Sequence, residues 1–507
     1  MSALKKPRRA IVIGAGMGGM ATAARLSSQG FEVTVLEQAA YAGGKLRSYE
    51  RDGFVFDLGP SLFTIPAVYR DLFLKTGSAL EDAIDLQPLD PAFTYHFPDG
   101  SSVVMPGVGV QACANALGES FGADAAASWK RFMSRAADMW ALTRQSVLHA
   151  PISGMRDMLG AMRTPRDISV IAPWLTLRSM SKRYFSDPRI VMLVDRYATY
   201  TGSDPRKAPA VLATVPYVEQ EFGAWHIGGG ITQLAAALEK RCRERGVEFR
   251  FSTDVRRIHT SDGSATGVEL SDGSVVPAEV VVSNADAQHV YNSFLSGDVG
   301  QAGRRRVRKA TKSLSGFVVL LGLKGRTPGL NHHNIWFPEN YDAEFDSIFA
   351  RHPQPVADPT VYVCAPDDER MRPDDDSEAW FILVNAPRHG DGTESTFDWS
   401  DSAQCQQYAE RIVDLLAQRG CDVRERVLWM EWRSPADLEL ATRAPGGAIY
   451  GTSSNGTSAA FLRAANRSEI SGLYLVGGSS HPGGGLPLVG MSAEIVADLV
   501  KQDFPKK

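Results

Sequence analysis

Apolar and polar positions alternate along the chain so that a short strand, a helix and a second strand follow one another from the start. The apolar run "AIVI" predicts a buried strand at 10–13, and a helix follows at 17–29. Gly30 ends that helix, and "FEVTVL" predicts a second strand at 31–36. This order of elements predicts a βαβ unit built on a parallel sheet.

Related patterns return in the middle and at the end of the chain. The middle predicts a helix at 231–245, a strand at 247–258, two hairpin turns in "SDGSATG" and "SDGS", and a strand in "AEVVVSNAD". Near the C-terminus the strand in "LYLVGG" is followed by a last helix, "MSAEIVADLV", whose N-terminus we place near Gly490. The predicted fold class is therefore α/β (α+β), with a Rossmann-like domain.

The three patterned regions predict one discontinuous domain that is interrupted twice. We assign residues 1–79, 226–290 and 436–507 to a cofactor domain, and residues 80–225 and 291–435 to a substrate domain. The acidic, turn-rich stretch "APDDERMRPDDDS" reads as an exposed loop of the second domain.

The first glycine cluster carries the chemistry of a dinucleotide site. Gly14, Gly16 and Gly19 form G-x-G-x-x-G directly after the first strand, and Glu37 ends the second strand. Gly14 permits the tight turn, Gly16 lets a pyrophosphate approach the backbone, and Gly19 lets the helix pack closely on the strand. The pyrophosphate then lies on a helix N-terminus, which favours anions. Glu37 is placed to accept hydrogen bonds from the adenosine ribose, and it disfavours NADP.

Two further segments favour FAD over NAD. Gly43 and Gly44 follow Glu37 at once and lead into "DLGPS", which offers a longer cofactor a second approach to the backbone. The glycine-rich stretch "VGGSSHPGGGLPLVG" before the last helix offers a third. The residues predicted to contact FAD are Gly14, Gly16, Met17, Gly18, Gly19, Glu37, Gln38, Gly44, Lys45, Pro60, Ser61, Val255, Gly477, Gly478, Leu488, Gly490 and Met491.

Composition narrows the remaining classes. The net charge of -4 does not indicate a nucleic-acid partner, and no apolar run reaches the roughly 20 residues of a membrane-spanning helix. The five cysteines show no C-x-x-C spacing and no cluster of histidines accompanies them, so we expect neither a metal site nor a disulfide framework. We therefore expect a cytoplasmic protein.

These motifs resemble the bacterial-type carotenoid desaturases over essentially the whole chain, and they imply an FAD-binding fold of the amine oxidase/phytoene desaturase type. The resemblance rests on the dinucleotide motif with Glu37, on "AGGKL", "DLGPSLFTIP" and "SNAD", and above all on "LYLVGGSSHPGGGLP". The stretches "DRYATYTGSDP" and "HNIWFPENYDAEFDSIF" look most like the 1-hydroxycarotenoid 3,4-desaturase branch.

The resemblance implies desaturation of an acyclic carotenoid by hydride transfer to flavin, with quinone or oxygen as the final electron acceptor. His481 is a candidate proton acceptor or hydrogen-bond partner of the flavin, and Arg196 and Tyr200 are candidates to meet a substrate hydroxyl. For each, a structural reading also applies: a loop-stabilising histidine, and tyrosines that pack in a core. A phytoene or neurosporene desaturase, an amine oxidase and an isoprenoid-binding escort protein without flavin are the alternatives.

A basic stretch predicts contact with a membrane surface. Residues 152–185 mix methionine, leucine and tryptophan with six basic residues and two acidic ones, as in helices that lie in a membrane interface. Since carotenoids dissolve in lipid, we expect peripheral attachment to the cytoplasmic membrane. The alternative is a pair of substrate-domain helices with a solvated basic face.

Overall fold

A computed structural model describes residues 7–152, 164–392, 395–456, 459 and 463–505. The strands of this part of the chain, numbered in order, are β1 Arg9–Ile13, β2 Glu32–Leu36, β3 Ser48–Arg51, β4 Phe54–Asp57, β5 Phe63–Thr64, β6 Leu86–Pro88, β7 Phe93–His96, β8 Ser102–Met105, β9 Ala224–Ile227, β10 Glu248–Arg250, β11 Val255–Ser261, β12 Ser264–Leu270, β13 Val275–Pro277, β14 Val280–Ser283, β15 Ser315–Lys324, β16 His333–Trp336, β17 Val361–Cys364, β18 Ser377–Ala386, β19 Val427–Arg433 and β20 Leu473–Leu475.

The helices of the same residues are α1 Met17–Ser28, α2 Ala67–Thr76, α3 Val110–Phe121, α4 Ala123–Thr143, α5 Pro165–Ile171, α6 Leu177–Tyr184, α7 Pro188–Arg196, α8 Thr214–Phe222, α9 Thr232–Glu244, α10 Ala287–His289, α11 Gln301–Lys309, α12 Tyr341–Ile348, α13 Ser402–Gln418, α14 Pro435–Thr442 and α15 Leu486–Asp503. Among them, none combines the length and the apolar character that crossing a membrane requires.

A five-stranded parallel sheet joins the two ends of the chain. Its strand order is β10-β2-β1-β14-β20, so the first strand of the protein lies at the centre and the last strand at an edge. Side chains of β1 alternate between the two faces, as the two-residue period of a strand requires. Ala10 and Val12 pack with α1, α9 and α15, whereas Ile11 and Ile13 pack with the small antiparallel sheet β11-β12-β13. The α/β, Rossmann-like fold is confirmed.

A separate seven-stranded sheet forms the second large sheet of the protein. Its order is β19-β15-β18-β17-β16-β7-β8, and every strand comes from the segments 80–225 and 291–435 that the sequence assigns to the substrate domain. Val318 and Leu320 of β15 face the helical layer formed largely by α3, α4, α6, α7 and α8. Val319 and Leu321 face α13 on the other side. The domain boundaries themselves stay a prediction.

Two predicted elements are wrong in their bounds. The single strand expected at 247–258 is two strands in different sheets, because Ser252 adopts a φ of +50° and the chain turns there. Backbone N–H groups of Ser252 and Thr253 donate to the carbonyls of Ala39 and Glu37, which draws this turn towards the end of β2. The last helix begins at Leu486 rather than near Gly490, and Pro487 in its first turn is the signal that was missed.

Candidate active site

A cavity of about 620 Å³ lies at the carboxyl ends of the parallel strands and extends to the seven-stranded sheet. Bordering residues follow the ends of β1, β2, β14 and β20 within two positions: Gly14, Gln38, Asn284 and Gly477, respectively. Phe381 of β18 lies on the opposite wall. Ligands of open α/β sheets bind in this position, so the cavity is the candidate active site.

Glycines from the two ends of the chain meet at this cavity. A Cβ atom on Gly18 would lie 3.2 Å from the Cα of Gly477 and 2.6 Å from Oδ1 of Asn284. A Cβ on Gly44 would lie 3.0 Å from the Cα of Gly16. Gly14 has a φ of +93°, which side chains other than glycine rarely adopt. Only residues without side chains leave backbone exposed to a ligand here.

The N-terminus of α1 opens into the cavity and fits a pyrophosphate. Gly16 caps the helix without a side-chain hydrogen bond, and its first turn contains no acidic residue. The first backbone N–H groups are therefore available to an anion, and the helix dipole favours one. This is the arrangement that the dinucleotide motif predicted.

Glu37 lies beside this helix terminus and is 7% exposed. Its Oε2 accepts a hydrogen bond from the N–H of Ala15 at 2.7 Å, and its Oε1 accepts one from the N–H of Ala39 at 2.9 Å. Each carboxylate oxygen keeps a further lone pair. Glu37 thus holds the glycine loop and retains acceptor capacity for ribose hydroxyls.

Two cationic side chains border the cavity, the partly buried Lys45 and the buried Arg463, and the sequence singled out only Lys45. The Lys45 ammonium donates to the carbonyls of Ala448 and Ile449 at 2.9 and 2.7 Å, and burial lowers its pKa to about 8. Arg463 donates to the carbonyls of Tyr450 and Gly478, and burial lowers its pKa to about 10. Nothing in the sequence around Arg463 marks it, because its position depends on two distant loops.

Most predicted cofactor residues border this cavity. They are Gly14, Gly16, Met17, Gly18, Glu37, Gln38, Gly44, Lys45, Pro60, Ser61, Val255, Gly477, Gly478 and Leu488.

Three predicted cofactor residues lie away from the cavity wall. Gly19 serves packing: a Cβ there would lie 2.1 Å from the carbonyl oxygen of Gly14. Gly490 and Met491 are in the second turn of α15, since that helix begins earlier than expected. A Cβ on Gly490 would lie 2.5 Å from Cγ1 of Val68, so this glycine lets α15 pack against α2. The contact of Gly490 and Met491 with the cofactor stays a prediction, although neither residue borders the cavity.

His481 borders the cavity and is 1% exposed. Its Nε2 lies 2.8 Å from the carbonyl oxygen of Val147 and 3.0 Å from that of Ala150. Carbonyl oxygens only accept, so Nε2 carries the proton and Nδ1 carries a lone pair. Nδ1 is buried and has no partner among the described residues. Burial lowers the pKa of His481, which keeps the ring neutral.

Arg196 and Tyr200 lie together on the cavity wall, at the end of α7. Nη1 of Arg196 donates to the Tyr200 hydroxyl at 2.7 Å, and the guanidinium lies 5.4 Å from the ring centre of Tyr362. Arg196 is only 8% exposed, and the groups in the described part of the chain that act on its guanidinium are the tyrosines Tyr200, Tyr95 and Tyr341. The pair is a polar, cationic spot facing an otherwise largely apolar space.

One cluster of potential metal ligands forms in the described ranges although the sequence predicted no metal site. His332, His333 and Cys364 offer atoms within 4.8 Å of one another. Burial raises the pKa of the Cys364 thiol, which opposes the thiolate that binds metals. Nδ1 of His333 is already hydrogen bonded to the Tyr362 hydroxyl. We therefore describe these residues as a polar cluster, buried at His333 and Cys364 and partly buried at His332.

Comparison with known proteins identifies the class. Residues 17–501 match the family described as "Flavin containing amine oxidoreductase". The match spans nearly the whole chain, and the protein belongs to this family of oxidoreductases. A solved structure of a putrescine oxidase triple mutant aligns with a TM-score of 0.66 at 14% identity, over 98% of this chain and 99% of that chain. The fold and the family establish FAD as the cofactor, as the glycine segments predicted.

Curated relatives identify the branch of that family. A "4,4'-diapolycopene oxygenase" of Methylomonas sp is 31% identical over 98% of this chain and 99% of its own length. A "Hydroxyneurosporene desaturase" of Rubrivivax gelatinosus is 33% identical over 97% and 93%. A "zeta-carotene-forming phytoene desaturase" of Myxococcus xanthus is 34% identical over 98% and 95%. The chain is a member of the carotenoid desaturase group, and the resemblance read from its motifs is confirmed.

Proposed function

We propose that the protein desaturates an acyclic carotenoid next to a hydroxylated end, forming the 3,4 double bond of a 1-hydroxycarotenoid. The observation that carries this proposal is the Arg196–Tyr200 pair in the cavity wall. The relative named hydroxyneurosporene desaturase supports a hydroxylated substrate, whereas the relative named phytoene desaturase supports the competing reading. Both relatives are similar to this chain to nearly the same degree.

The cavity wall explains why a polar pair points to a polar end group. Apolar side chains from both domains supply much of its surface, among them Leu62, Phe93, Trp140, Val211, Leu212, Val215, Val318, Phe381 and Leu383. A hydrocarbon chain satisfies such a wall completely. The guanidinium of Arg196 and the hydroxyl of Tyr200 bond to each other at 2.7 Å, and a substrate oxygen would give this pair a further hydrogen-bonding partner within an apolar wall.

The side chains in the cavity bind and orient, while the redox chemistry is that of FAD, which accepts a hydride when bound. The apolar wall holds the reacting carbons in line and excludes water. Nδ1 of His481 is available as a hydrogen-bond acceptor. Its other nitrogen is fixed to two carbonyls that cannot take a proton onward, so His481 is better suited to orienting a ligand than to carrying a proton away. Quinone or oxygen is the proposed final electron acceptor.

Paired substrates test this function. Hydroxylated and non-hydroxylated forms of one acyclic carotenoid are given to the purified holoenzyme in liposomes, and the products are resolved by chromatography. We expect preference for the hydroxylated form and a product that absorbs at longer wavelength. Efficient conversion of phytoene without benefit from the hydroxyl would establish the phytoene desaturase reading instead.

A variant links that preference to the polar pair. Tyr200→Phe removes one hydroxyl, and we expect the preference for the hydroxylated carotenoid to fall by about 10-fold, as when a buried hydrogen bond is lost. Tyr217→Phe is the matched control, because Tyr217 does not border the cavity. An unchanged preference in Tyr200→Phe would remove this pair from the hydroxyl site.

We also propose that the protein attaches to a membrane surface through the region of α5 and α6. Trp174 between these helices is 64% exposed and Ile168 is 38% exposed, while Arg166, Lys182 and Arg183 lie on the surface around them. Residues 153–163 of the predicted stretch, including Arg156 and Arg163, lie outside the described residues. Arg178, which the sequence counted among the basic residues, instead forms internal ion pairs with Asp195 and Asp342.

A further inference from the structure

The sheet wall of the cavity changes from apolar to polar along one strand. Phe381, Leu383 and Asn385 of β18 border the cavity at the two-residue spacing of a strand, so Asn385 stands where a third apolar side chain would continue the wall. Tyr362 of the neighbouring β17 lies opposite Leu383, and Thr360, directly before β17, borders the cavity too. Asn385 and Thr360 therefore form a polar end of this wall.

Two hydroxyl groups at this end are buried and make no hydrogen bond of normal geometry among the described residues. They belong to Thr360, which is 5% exposed, and to Tyr341, which begins α12 and also borders the cavity. Burial and the nearby Glu344 raise the pKa of Tyr341 well above its ordinary value, while Arg196 and Thr360 counteract this rise in part. Both hydroxyls therefore lie in the same region as the Arg196–Tyr200 pair.

One buried carboxyl group holds this region in place. Glu344 of α12 is fully buried, and its Oε1 accepts a hydrogen bond from Nδ2 of Asn385 at 2.7 Å. Its Oε2 accepts one from the backbone N–H of Thr360, also at 2.7 Å. Tyr341 precedes Glu344 by three residues, on the same side of the helix. Because the amide nitrogen of Asn385 donates to Glu344, its amide oxygen is left as an acceptor.

We propose that this end of the cavity is a subsite for an alcohol, in which Arg196 donates to the substrate oxygen and uncharged groups accept the substrate's hydroxyl proton. The acceptors are the side-chain oxygens of Tyr341, Thr360 and Asn385. This inference rests on the proposed desaturation next to a hydroxylated end. An alcohol both donates and accepts, whereas a guanidinium only donates, and the Tyr200 oxygen already accepts from Arg196. The acceptor for the alcohol must therefore come from other residues of the wall.

This arrangement distinguishes an alcohol from its methyl ether. An ether oxygen accepts from Arg196, but it has no proton for the three acceptors, and a hydrocarbon end satisfies neither side. A buried polar group that is left without a partner weakens binding. A site built to hydrogen-bond a hydroxyl rejects the analogue that lacks it for the same reason. We therefore expect the affinity to fall from alcohol to ether to hydrocarbon.

Three forms of one acyclic carotenoid test the subsite: the 1-hydroxy compound, its methyl ether and the hydrocarbon. The holoenzyme is reduced beforehand and kept anaerobic, so that binding in liposomes is measured from the carotenoid absorbance without turnover. In the wild type, we expect the alcohol to bind about tenfold more tightly than the ether. In the double variant Tyr341→Phe, Thr360→Val, we expect this ratio to fall to about twofold, with the affinity for the hydrocarbon unchanged. The bulk of the ether's methyl group is the same in both measurements and cancels from the change in ratio.

The double variant Tyr95→Phe, Thr452→Val is the matched control. These two hydroxyls are also buried without a partner in the described part of the chain, but neither residue borders the cavity, so the wild-type ratio should persist. FAD content and thermal unfolding show that each variant is folded. Replacing an unpartnered hydroxyl by an apolar group of the same shape should not lower stability.

The outcomes separate the subsite from the proposed reaction. A wild-type ratio in Tyr341→Phe, Thr360→Val, or an equal loss of the ratio in the control, would overturn the subsite and leave the desaturation standing. So would a wild type that binds alcohol and ether equally and the hydrocarbon less. A wild type that binds all three alike and converts phytoene efficiently would overturn both proposals.

Discussion

Glu219 of α8 is a buried carboxyl group, and burial disfavours its charged form. It is 5% exposed, its Oε1 accepts the hydroxyl of Tyr197 at 2.5 Å, and its Oε2 has no partner among the described residues. Burial raises its pKa to about 7. The folded protein therefore binds a proton at Glu219 under conditions in which the unfolded chain does not.

This shift predicts a pH dependence of stability with a definite sign. Between the ordinary pKa of 4.5 and the folded value of about 7, the folded state holds more protons than the unfolded state, so stability falls as the pH rises through that window. Across this window the raised pKa of Glu219 lowers the free energy of unfolding by about 3 kcal/mol. Glu219→Gln should abolish this loss of stability, because glutamine does not ionise, so the variant becomes more stable relative to the wild type as the pH rises. Urea unfolding at pH 4.5 to 7.5 measures the difference.

The exposed Glu221 supplies the control for that measurement. Glu221 lies on the same helix and is in contact with solvent. Glu221→Gln should therefore leave the pH dependence of stability unchanged. If Glu219→Gln shows the same pH profile as the wild type, the carboxyl group ionises normally in the folded protein.

Some residues of the site could be predicted from the sequence, and others could not. The turn glycines and Glu37 were predicted because their roles depend on backbone conformation and on spacing within one βαβ unit. Asn284 and Arg463 were missed. The side chain of Asn284 lies beside Gly18 and Gly477, which are far away in the chain, and Arg463 donates a hydrogen bond to the carbonyl of Tyr450 in another loop.

At the scale of elements, local patterns fixed the first βαβ unit to within about one residue. Helix α1 ends at Ser28 and β2 begins at Glu32, next to the predicted bounds. The turn at Ser252 was missed, because its bonds go to Ala39 and Glu37 rather than to sequence neighbours. Long-range hydrogen bonds of this kind override a locally continuous strand pattern.

The packing of α15 on α2 predicts the outcome of a substitution at Gly490. A methyl group there would meet Val68, so we expect Gly490→Ala to lower the free energy of unfolding by about 1–3 kcal/mol. The purified variant should still carry a full complement of FAD, since Gly490 does not border the cavity. Flavin absorbance and thermal unfolding measure the two effects separately.

Gly18→Ala is the counterpart within the site. Its methyl group would lie against Asn284 and Gly477 where the two chain ends meet, and we expect loss of FAD. Flavin loss from Gly490→Ala at unchanged stability would return Gly490 to the cofactor site.

At the scale of the whole molecule, the proposed membrane-binding surface predicts how strongly the protein binds liposomes. Neutralising Lys182 and Arg183 should weaken binding to anionic liposomes by about 2 kcal/mol, roughly 30-fold, because each basic residue near an anionic surface contributes about 1 kcal/mol. Trp174→Ser should weaken binding further, also to neutral liposomes. Flotation at low and high salt measures both effects.

Leu440 provides the control, since it is 84% exposed on α14, away from α5 and α6 in the chain. Leu440→Ser should float like the wild type. Unchanged flotation of the Trp174, Lys182 and Arg183 variants would place the membrane contact elsewhere on the protein. Arg178 is unsuitable for this test, because its neutralisation would leave the buried Asp195 without its partner.

The sequence by itself determined the parallel sheet and the FAD site, because these depend on short-range patterns: strand and helix periods, turn glycines and one acid at a fixed distance. Its motifs, above all "LYLVGGSSHPGGGLP", carried the resemblance to the carotenoid desaturases. Tertiary structure decided which further residues line the cavity, among them Asn284 and Arg463. The walls of the cavity combine segments separated by a hundred residues or more, and the guanidinium of Arg196 lies beside the ring of Tyr362 from another such segment. Contacts of that kind arise when separate hydrophobic faces are buried together, and no local pattern encodes which side chains then meet.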